Sequence, residues 1–598
     1  MTGPKGLILL LLVMSTPAGA QVPDSVPPDS AQALQDTVDL TARYLEALAR
    51  AKLRTPVVPH LIDDGPRPPT SLVVFDRQAL EWATAETLGD LLTHVPGVYL
   101  WRGGWIGRPE YAAYQGRGAT SVEYYLDGLP LTPLGQDSIA VDPATLSLRI
   151  LDRVEIERWA GLLRVRLYTP RHDRLAAGSR IGISTGDRDL ARYLGGLERR
   201  YASGLGLGLA AEYWSAPTFG GASSDARATS VWLQGSYLHG EQWGVQYQLV
   251  SQAPDRDPYV GGETGADTLG AGLKGTRTDM QFRVFLRREV GGTGRRVELV
   301  GARSSWSGSG VEQEVNSGGL VASWRQPTWT VTAQGFVRSR WTPIDVRASA
   351  GWVPTAFTSF NAEAGYKSHE ADRRSTWVGG RAGLQLPAGF SLSGSARFGS
   401  VVVAPAVESS VAQDISDMEA TLAWQRSLFE LEAGLSRTNT FQSQAPQPYL
   451  QIPGLAEAQA TTWVTLSARV TPVQWLVLES RYSDPNGELP DGQPPTHSLS
   501  TVTIRSKFLR SFPSGFFDLK LQLGMESWGD GILGRDPLGQ PVRLDGATFL
   551  RGYMELSLGD FRFYYDRVNL AGSDQTYVPG FVIPRYGSTF GVRWDFLN

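Results

Sequence analysis

From about residue 176 to its end, the chain repeats short runs in which apolar and polar residues alternate. Three clear examples are residues 464–470 (VTLSARV), 517–523 (FDLKLQL) and 590–596 (FGVRWDF). Strict alternation predicts β-strands with one apolar and one polar face. The runs have the length of strands that cross a membrane, and their number predicts a mainly β fold with a large antiparallel transmembrane barrel of about 22 strands, within a range of 16 to 22.

The connections between these runs also alternate in length. Short turns are predicted near residues 201–203, 239–241, 326–327, 387–388, 426–427, 471–472 and 558–559. Longer loops are predicted near residues 215–226, 253–275, 304–316, 398–415, 438–459, 484–496, 527–545 and 570–585. Outer-membrane barrels have short periplasmic turns and long outer loops. A soluble β-sandwich or propeller is the alternative, but it would need polar residues on its outside, whereas here the apolar face recurs and no second layer is present to cover it.

The first 172 residues differ in pattern from the rest. Residues 1–20 combine Lys5, an apolar stretch and a small-residue Ala-Gly-Ala end, which predicts a secretory signal peptide. Residues 21–69 are rich in Pro, Asp, Ala and Gln and predict a periplasmic arm. No other stretch has the roughly 20 apolar residues of a membrane helix, so a membrane form of this protein has to be a barrel.

Residues 70–172 predict a small α/β domain. The segment SLVVFDRQAL (71–80) indicates a short apolar strand, and residues 84–95 indicate a helix with its leucines on one face. Asp127-Gly128 lies between apolar runs, which is a strong hairpin signal. Residues 152–159 and 164–170 alternate as further strands.

Composition narrows the possible functions. The net charge is −4, so nothing favours a nucleic-acid partner. The absence of cysteine excludes disulfides, thiolate metal sites and thiol catalysis. The six histidines have no metal-ligand spacing, and nothing marks His239 or His369 as catalytic. We therefore expect no enzymatic activity, no metal site and no cofactor.

Three motifs in order within 60 residues resemble the plug domain of TonB-dependent outer-membrane receptors. The residues that match are Pro96, Gly97, Arg117, Gly118, Asp127, Gly128, Arg153 and Glu155. The resemblance implies that residues 70–172 lie inside the lumen of a barrel formed by residues 176–598, in the outer membrane of a Gram-negative-type bacterium. Arg117, Arg153 and Glu155 would then lie in a polar interior, with ion pairs to the wall.

The last strand also resembles that family. Its alternating residues Phe590, Val592, Trp594 and Phe596 follow Pro584-Arg585, near where the family has a Pro-x-Arg segment. In the family, such a closing strand is recognised by the barrel-assembly machinery, so the resemblance implies this partner together with outer-membrane lipid.

Two departures from the family pattern leave an alternative open. The candidate TonB box, which would pair with the energy transducer by strand addition, is Asp36, Thr37, Val38, Asp39 and Leu40, and Asp39 stands where the family has an apolar residue. After Trp159 the usual link of the plug is roughly a dozen residues shorter, so the plug could sit differently in the lumen.

The resemblance implies a receptor that imports a scarce small ligand, of the siderophore, cobalamin or sugar class, with energy from the TonB system. Tyr259, Tyr449 and Trp528 lie in predicted outer loops, where their rings would stack on a ligand or belong to the aromatic girdle of the membrane interface. The alternative is a passive or ligand-binding barrel with an uncoupled, shortened plug.

Overall fold

The computed structural model describes residues 53–61, 67–216, 225–261, 267–290 and 293–597. The predicted signal peptide and the candidate box at 36–40 lie outside these residues. Within the described parts of the chain, no helix has the length and apolar character needed to cross a membrane.

A closed wall of 22 antiparallel strands forms the larger part of the molecule, and the last strand pairs with the first to close it. In chain order the wall strands are β8 (Gly178–Gly186), β9 (Ala191–Arg200), β10 (Leu205–Ala216), β11 (Ala226–His239), β12 (Trp243–Arg256), β15 (Leu273–Val290), β16 (Thr293–Gly308), β17 (Val311–Arg325), β18 (Trp329–Arg338), β19 (Ile344–Thr355), β20 (Thr358–Ser368), β21 (Arg374–Gln385), β22 (Phe390–Val402), β23 (Ala412–Gln425), β24 (Phe429–Thr438), β25 (Thr461–Val473), β26 (Leu476–Asn486), β27 (His497–Ser506), β28 (Phe517–Trp528), β31 (Ala547–Leu558), β32 (Phe561–Arg567) and β33 (Ser588–Leu597). Two short hairpins lie in loops: β13 (Tyr259–Gly261) with β14 (Asp267–Gly270), and β29 (Gly531–Arg535) with β30 (Pro541–Leu544). The structure therefore confirms the predicted barrel and strand number.

The two faces of the wall differ as the alternation predicts. Leu299 and Leu523 point outwards, with 60% and 50% of their surface exposed, whereas Lys520 points into the lumen and is only 2% exposed. Aromatic pairs such as Trp324–Trp329 and Phe561–Trp594 collect at the end of the barrel that carries the short turns. This arrangement matches an apolar belt edged by aromatic rings, as in barrels that face lipid.

The connections follow the predicted order at most positions, with two departures. Residues 304–316 are not a long loop, because β16 and β17 extend to a tight turn at Ser309-Gly310, where both residues have positive φ (50° and 74°). The polar residues of this segment suggested a loop, but its backbone continues the pairing of β16 with β17 beyond the apolar belt. The turn between β27 and β28 differs in the other direction, because it lies at the end with the short turns and yet spans residues 507–516.

A small α/β domain, residues 67–170, lies inside the wall; we call it the plug. Its helices are α1 (Arg77–Trp82) and α2 (Leu88–Leu92). Its strands are β1 (Leu72–Phe75), β2 (Val98–Arg102), β3 (Glu110–Tyr114), β4 (Val122–Leu126), β5 (Leu129–Pro130), β6 (Arg153–Trp159) and β7 (Leu162–Tyr168). They form a five-stranded sheet of order β1-β6-β7-β4-β5 and a separate β2–β3 hairpin.

Local sequence signals explain the elements of the plug. Asp127 and Gly128 both have positive φ (47° and 94°), as a two-residue hairpin turn requires, and they connect β4 to β5. Thr87 and Asp90 form a capping box at the start of α2, whose leucines are buried. The strand in SLVVFDRQAL is shorter than its pattern suggests, because Asp76 accepts the backbone N–H of Ala79 and starts α1.

The shortened link does not remove the plug from the lumen. Strands β6 and β7 are joined directly by a tight turn at Ala160-Gly161, where Gly161 has φ +65°. Trp159 pairs with Leu162 across this turn, and the five-stranded sheet is complete. The turn lies against Arg117 of the plug and Asp417 of the wall.

A charge on the outward face tests whether that face contacts lipid. We expect Leu299→Lys to lower the free energy of unfolding in lipid vesicles by about 2–4 kcal/mol, because an ammonium group near the bilayer midplane loses its hydration. Leu299→Phe is the matched control and stays within about 1 kcal/mol of the parent. Urea titration followed by gel mobility measures both. Equal stability of the two variants would contradict a lipid-facing wall.

Candidate functional site

Ion pairs connect the plug sheet to the inner face of the wall. Both terminal nitrogens of Arg164, on β7, donate hydrogen bonds to the carboxylate of Glu363 on β20, each at 2.7 Å. Arg158 on β6 donates to Glu432 (2.6 Å) and Glu419 (3.2 Å). All five side chains lie in the lumen, so these charges are compensated by each other rather than by bulk water.

A second group of charges surrounds the start of α2. Glu86 accepts from Arg149 of the plug (2.9 Å) and from Arg192 of the wall. Burial opposes ionisation of Glu86, but the arginines, Arg149 first, lower the pKa of its carboxyl to about 2. Asp90 has a pKa of about 2 as well, because Arg102 and Arg551 outweigh the cost of burial.

The motif residues of the plug divide into two groups. Arg117 bonds to Asp417 of the wall and donates to Asn439 (2.7 Å), with its guanidinium 4.3 Å from the ring centre of Phe441. Asp127 accepts from Gln248 of the wall at 2.8 Å.

Arg153 and Glu155, by contrast, pair with each other at 3.4 Å. Glu155 also accepts from Arg67 of the plug. Their predicted ion pairs to the wall are therefore replaced by pairs within the plug, whereas Arg117 does reach the wall.

Gln493, in the loop between β26 and β27, connects two further motif positions. Its side-chain nitrogen donates to the carbonyl of Gly97 (2.7 Å), and its side-chain oxygen accepts the N–H of Gly116 (2.8 Å). The next residue upstream, Gly492, accepts the indole N–H of Trp101 at 2.6 Å. No sequence signal pointed to Gln493, because its partners lie almost 400 residues away.

The long loops fold over the β2–β3 hairpin of the plug and form a buried aromatic cluster. We call it the mouth cluster; its rings are Tyr99, Trp101, Tyr111, Tyr259, Tyr449, Trp528, Phe549, Tyr577 and Phe581. Tyr449 is 1% exposed, and its hydroxyl lies 2.8 Å and 2.7 Å from the carbonyls of Trp101 and Pro109. The mouth cluster thus attaches the loops to the plug.

The three loop aromatics expected to contact a ligand all lie in the mouth cluster. Tyr259 stacks on Phe581 with ring centres 4.5 Å apart, and its hydroxyl accepts the N–H of Val582. Trp528 packs 4.8 Å from Tyr577. In this structure their rings contact the plug and other loops rather than solvent, so a ligand-stacking role for them stays a prediction that requires the mouth to open.

The closing strand β33 presents its alternation as predicted. Phe590 is exposed on the outer face, and Trp594 stacks 4.7 Å from Phe561 of β32. Arg593, between them in sequence, points inwards and lies 3.8 Å from Glu86 of the plug. Recognition of Phe590, Val592, Trp594 and Phe596 by the assembly machinery stays a prediction.

An open cleft lies between plug strand β4 and wall strands β18 to β23, and it borders the apolar cluster of the mouth at Ala119, Ile139 and Ala140. We call it the side cleft; it measures about 1400 Å³, including its solvent-filled opening. The loops above it are short, with five residues at 339–343 and five at 369–373. The tight Ala160-Gly161 turn also borders it through Gly161, so the missing link leaves space at this position.

Among the charged side chains that line the side cleft, cations outnumber carboxylates. Five are present, Arg117, Arg338, Arg340, Lys367 and Arg397, against the carboxylates of Glu123 and Asp345. Burial disfavours ionised Glu123, but Lys367 and the arginines around it lower the pKa of its carboxyl to about 2. The side cleft is therefore a space with an excess of basic side chains, between the plug and the wall.

Comparison with known proteins agrees with this geometry. Residues 67–163 match the family model of the TonB-dependent receptor plug domain. Among curated proteins there is no significant match. The fold is similar to the ferric enterobactin receptor PfeA of Pseudomonas aeruginosa, with TM-score 0.66, 10% identity, and coverage of 89% of this chain and 99% of that one.

Two other solved structures give the same result. The FrpB iron transporter of Neisseria meningitidis has TM-score 0.67 and 10% identity, and covers 89% of this chain and 100% of its own. The siderophore receptor PirA of Acinetobacter baumannii has TM-score 0.65 and 9% identity, with 88% and 98% covered. At this identity the likeness establishes the fold. Residues 67–163 are therefore a plug domain of the TonB-dependent receptor type, and they lie inside a closed 22-stranded barrel.

Proposed function

We propose that the protein imports a scarce small ligand through the outer membrane, and that a TonB-type transducer supplies the energy by pulling on the plug. The observation that carries the proposal is the chemistry of the plug–wall contact. Along the wall the plug is bound by ion pairs and hydrogen bonds, such as Arg164–Glu363 and Arg158–Glu432. Water can replace such contacts when the plug moves, at a much lower cost than exposing apolar surface.

The apolar core of the plug supports the same conclusion. Its main cluster consists of plug residues, with only Ala210, Trp232 and Val250 contributed by the wall. The larger apolar attachment is the mouth cluster, at the end with the long loops. We therefore expect movement to begin at the opposite end, where the chain enters the plug.

At that end, residues 54–61 are held both by hydrogen bonds to their backbone and by the buried side chains of Val58 and Leu61. Arg171 donates to the carbonyl of Val58, Arg283 to that of Pro59 (3.0 Å) and Arg296 to that of Leu61 (3.0 Å). The candidate box at 36–40 lies upstream of this segment in sequence. A pull on the arm would reach these three arginines first.

The second candidate is a passive or ligand-binding barrel with an uncoupled plug. The direct β6–β7 turn favours it, since the usual link of the plug is absent. The polar plug–wall contacts favour import, and the names of PfeA, FrpB and PirA place iron and siderophores first among the ligand classes to test.

Deletion of residues 36–40 separates the two candidates. We expect uptake to be abolished while binding to whole cells persists, because the deletion removes the contact with the transducer and leaves the barrel unchanged. Cellular accumulation is measured with a labelled panel of ferric siderophores, cobalamin and maltodextrins. Deletion of residues 27–31, of equal length, is the control. Unchanged uptake after the 36–40 deletion would support the passive barrel instead.

A disulfide between plug and wall tests whether the plug must move. The hydroxyls of Thr70 in the plug and Ser393 in β22 contact each other directly, and the chain has no cysteine of its own. We expect Thr70→Cys with Ser393→Cys to stop uptake when oxidised and to recover it on reduction. The control is Ser480→Cys with Ser500→Cys, two wall hydroxyls 2.9 Å apart. Full uptake through the oxidised Thr70–Ser393 pair would contradict a moving plug.

Low pH should weaken the attachment of the plug, because three of its carboxyl groups have lowered pKa values. The pKa values of Glu86 and Glu123 fall from an ordinary 4.5 to about 2, and that of Asp90 from 3.8 to about 2. Groups with a lowered pKa stabilise the folded form above their ordinary pKa, and this stability is lost as the pH falls towards the lowered value. We expect conductance in planar bilayers to stay low from pH 7 to about 5 and to rise reversibly between about pH 4 and 2. A barrel lacking residues 67–170 is the control, and low conductance of the intact protein at pH 2 would contradict the role of these pairs.

A further inference from the structure

One charge in the side cleft has no counterpart. Arg397, on β22, lines the cleft and is 7% exposed. Its Nε is buried without a hydrogen-bond partner, and among the described residues its guanidinium forms no hydrogen bond or ion pair. A guanidinium has five donors and cannot lose its charge in a protein, so a buried one without an acceptor is a costly arrangement.

Three carboxylates lie near Arg397, and each is already paired with another cation. Both oxygens of Glu363 accept from Arg164. Asp417 bonds to Arg117 through Oδ1, whereas its buried Oδ2 has no hydrogen-bond partner. Glu123 accepts from Arg164 at 3.2 Å and from the hydroxyl of Tyr125 at 3.0 Å. None of the three is within hydrogen-bond distance of Arg397, so the protein supplies positive charge here without an internal anion to match.

The other side chains of the cleft add to this excess. Arg338 is neutralised by Asp345 at 2.8 Å, and Lys367 lies 3.9 Å from Glu123. Arg340, at the rim, is exposed and lies 6.0 Å from the ring centre of Trp341. Arg340 and Arg397 therefore remain as two cations at different depths, one at the entrance and one at the floor.

Aromatic rings line the same space. Trp341 and Trp377 border it on the wall side and Tyr125 on the plug side. Trp341 has φ +60°, a backbone conformation that is unfavourable for a bulky side chain. The backbone N–H of Trp341 donates to the carboxylate of Glu370 at 2.9 Å, and this bond keeps the residue at the rim of the cleft. Strain of this kind is often kept where it positions a functional group.

We propose that the side cleft is the ligand site and that its ligand is a ring-bearing anion whose charged oxygen is received by Arg397. This inference rests on the proposed import function and narrows it, since it favours anionic ligands over neutral sugars. Arg340 would attract the anion at the rim, the rings would stack on its planar part, and Arg397 would donate to its oxygens.

The test compares a charged and an uncharged probe on the detergent-solubilised full-length protein. Salicylate and salicylamide have the same ring and nearly the same size, but only salicylate is an anion at pH 7. We expect saturable binding of salicylate by isothermal titration, at least fivefold tighter than that of salicylamide. Binding should weaken as salt is raised from 50 to 500 mM, because a charge-based contact is screened.

Variants at two positions separate recognition from folding. Arg397→Gln should weaken salicylate at least fivefold and leave salicylamide unchanged, whereas Arg397→Lys should keep most of the affinity because it keeps the charge. Trp341→Gly relieves the strained backbone and removes the ring, so we expect weaker binding of both probes without loss of stability. Arg303→Gln, at an exposed pair with Glu314 on the wall, is the control and should bind like the parent.

Equal binding of the two probes, absence of salicylate binding, or an Arg397→Gln variant that binds like the parent would overturn the proposal. These results are distinguishable from failure of the proposed function. If uptake still depends on residues 36–40 and on reduction of the Thr70–Ser393 disulfide, import stands and only the ligand class is wrong. If uptake is independent of both while salicylate binding follows Arg397, the site stands in a passive barrel.

Discussion

The structure depends on one constraint: a closed wall of 22 strands leaves a lumen too wide for its own side chains to fill. The inner face of that wall is polar, because the outer face must be apolar to contact lipid. A domain that fills the lumen must therefore satisfy buried charges as well as occupy space. Arg164 with Glu363 and Arg158 with Glu432 meet this requirement across the plug–wall contact.

The plug is attached in two chemically different ways. Towards the long loops, the mouth cluster is an apolar contact that includes Tyr449 and Trp528. Along the wall and at the chain entrance, ion pairs and hydrogen bonds to backbone carbonyls, such as Arg283 with Pro59, accompany smaller apolar clusters around Val58 and Leu61. A polar contact exchanges with water more readily than an apolar one. This difference is why we expect release to begin at the entrance, and the excess of cations in the side cleft is why we propose it as the ligand site.

The fold was largely predictable from sequence, because alternation of period two is a local property of each strand. The plug followed from motifs such as Asp127-Gly128, whose positive φ angles the structure confirms. The error at 304–316 arose since polar residues also continue strands beyond the apolar belt. The site was less predictable: the partners of Arg158, Arg164 and Gln493 are set by contacts between distant parts of the chain. Tyr449 was expected in an open loop, but it is buried because three loops fold onto the plug.

Mechanical unfolding tests the central claim most directly, namely that the plug is a separately removable body held by polar contacts. A single molecule in a lipid bilayer is pulled from its N-terminus by force spectroscopy. The account predicts that the chain through residue 168 extends first, at low force that decreases in high salt, while the wall stays intact and refolding follows release. Simultaneous extraction of plug and wall strands, with no salt dependence, would contradict it.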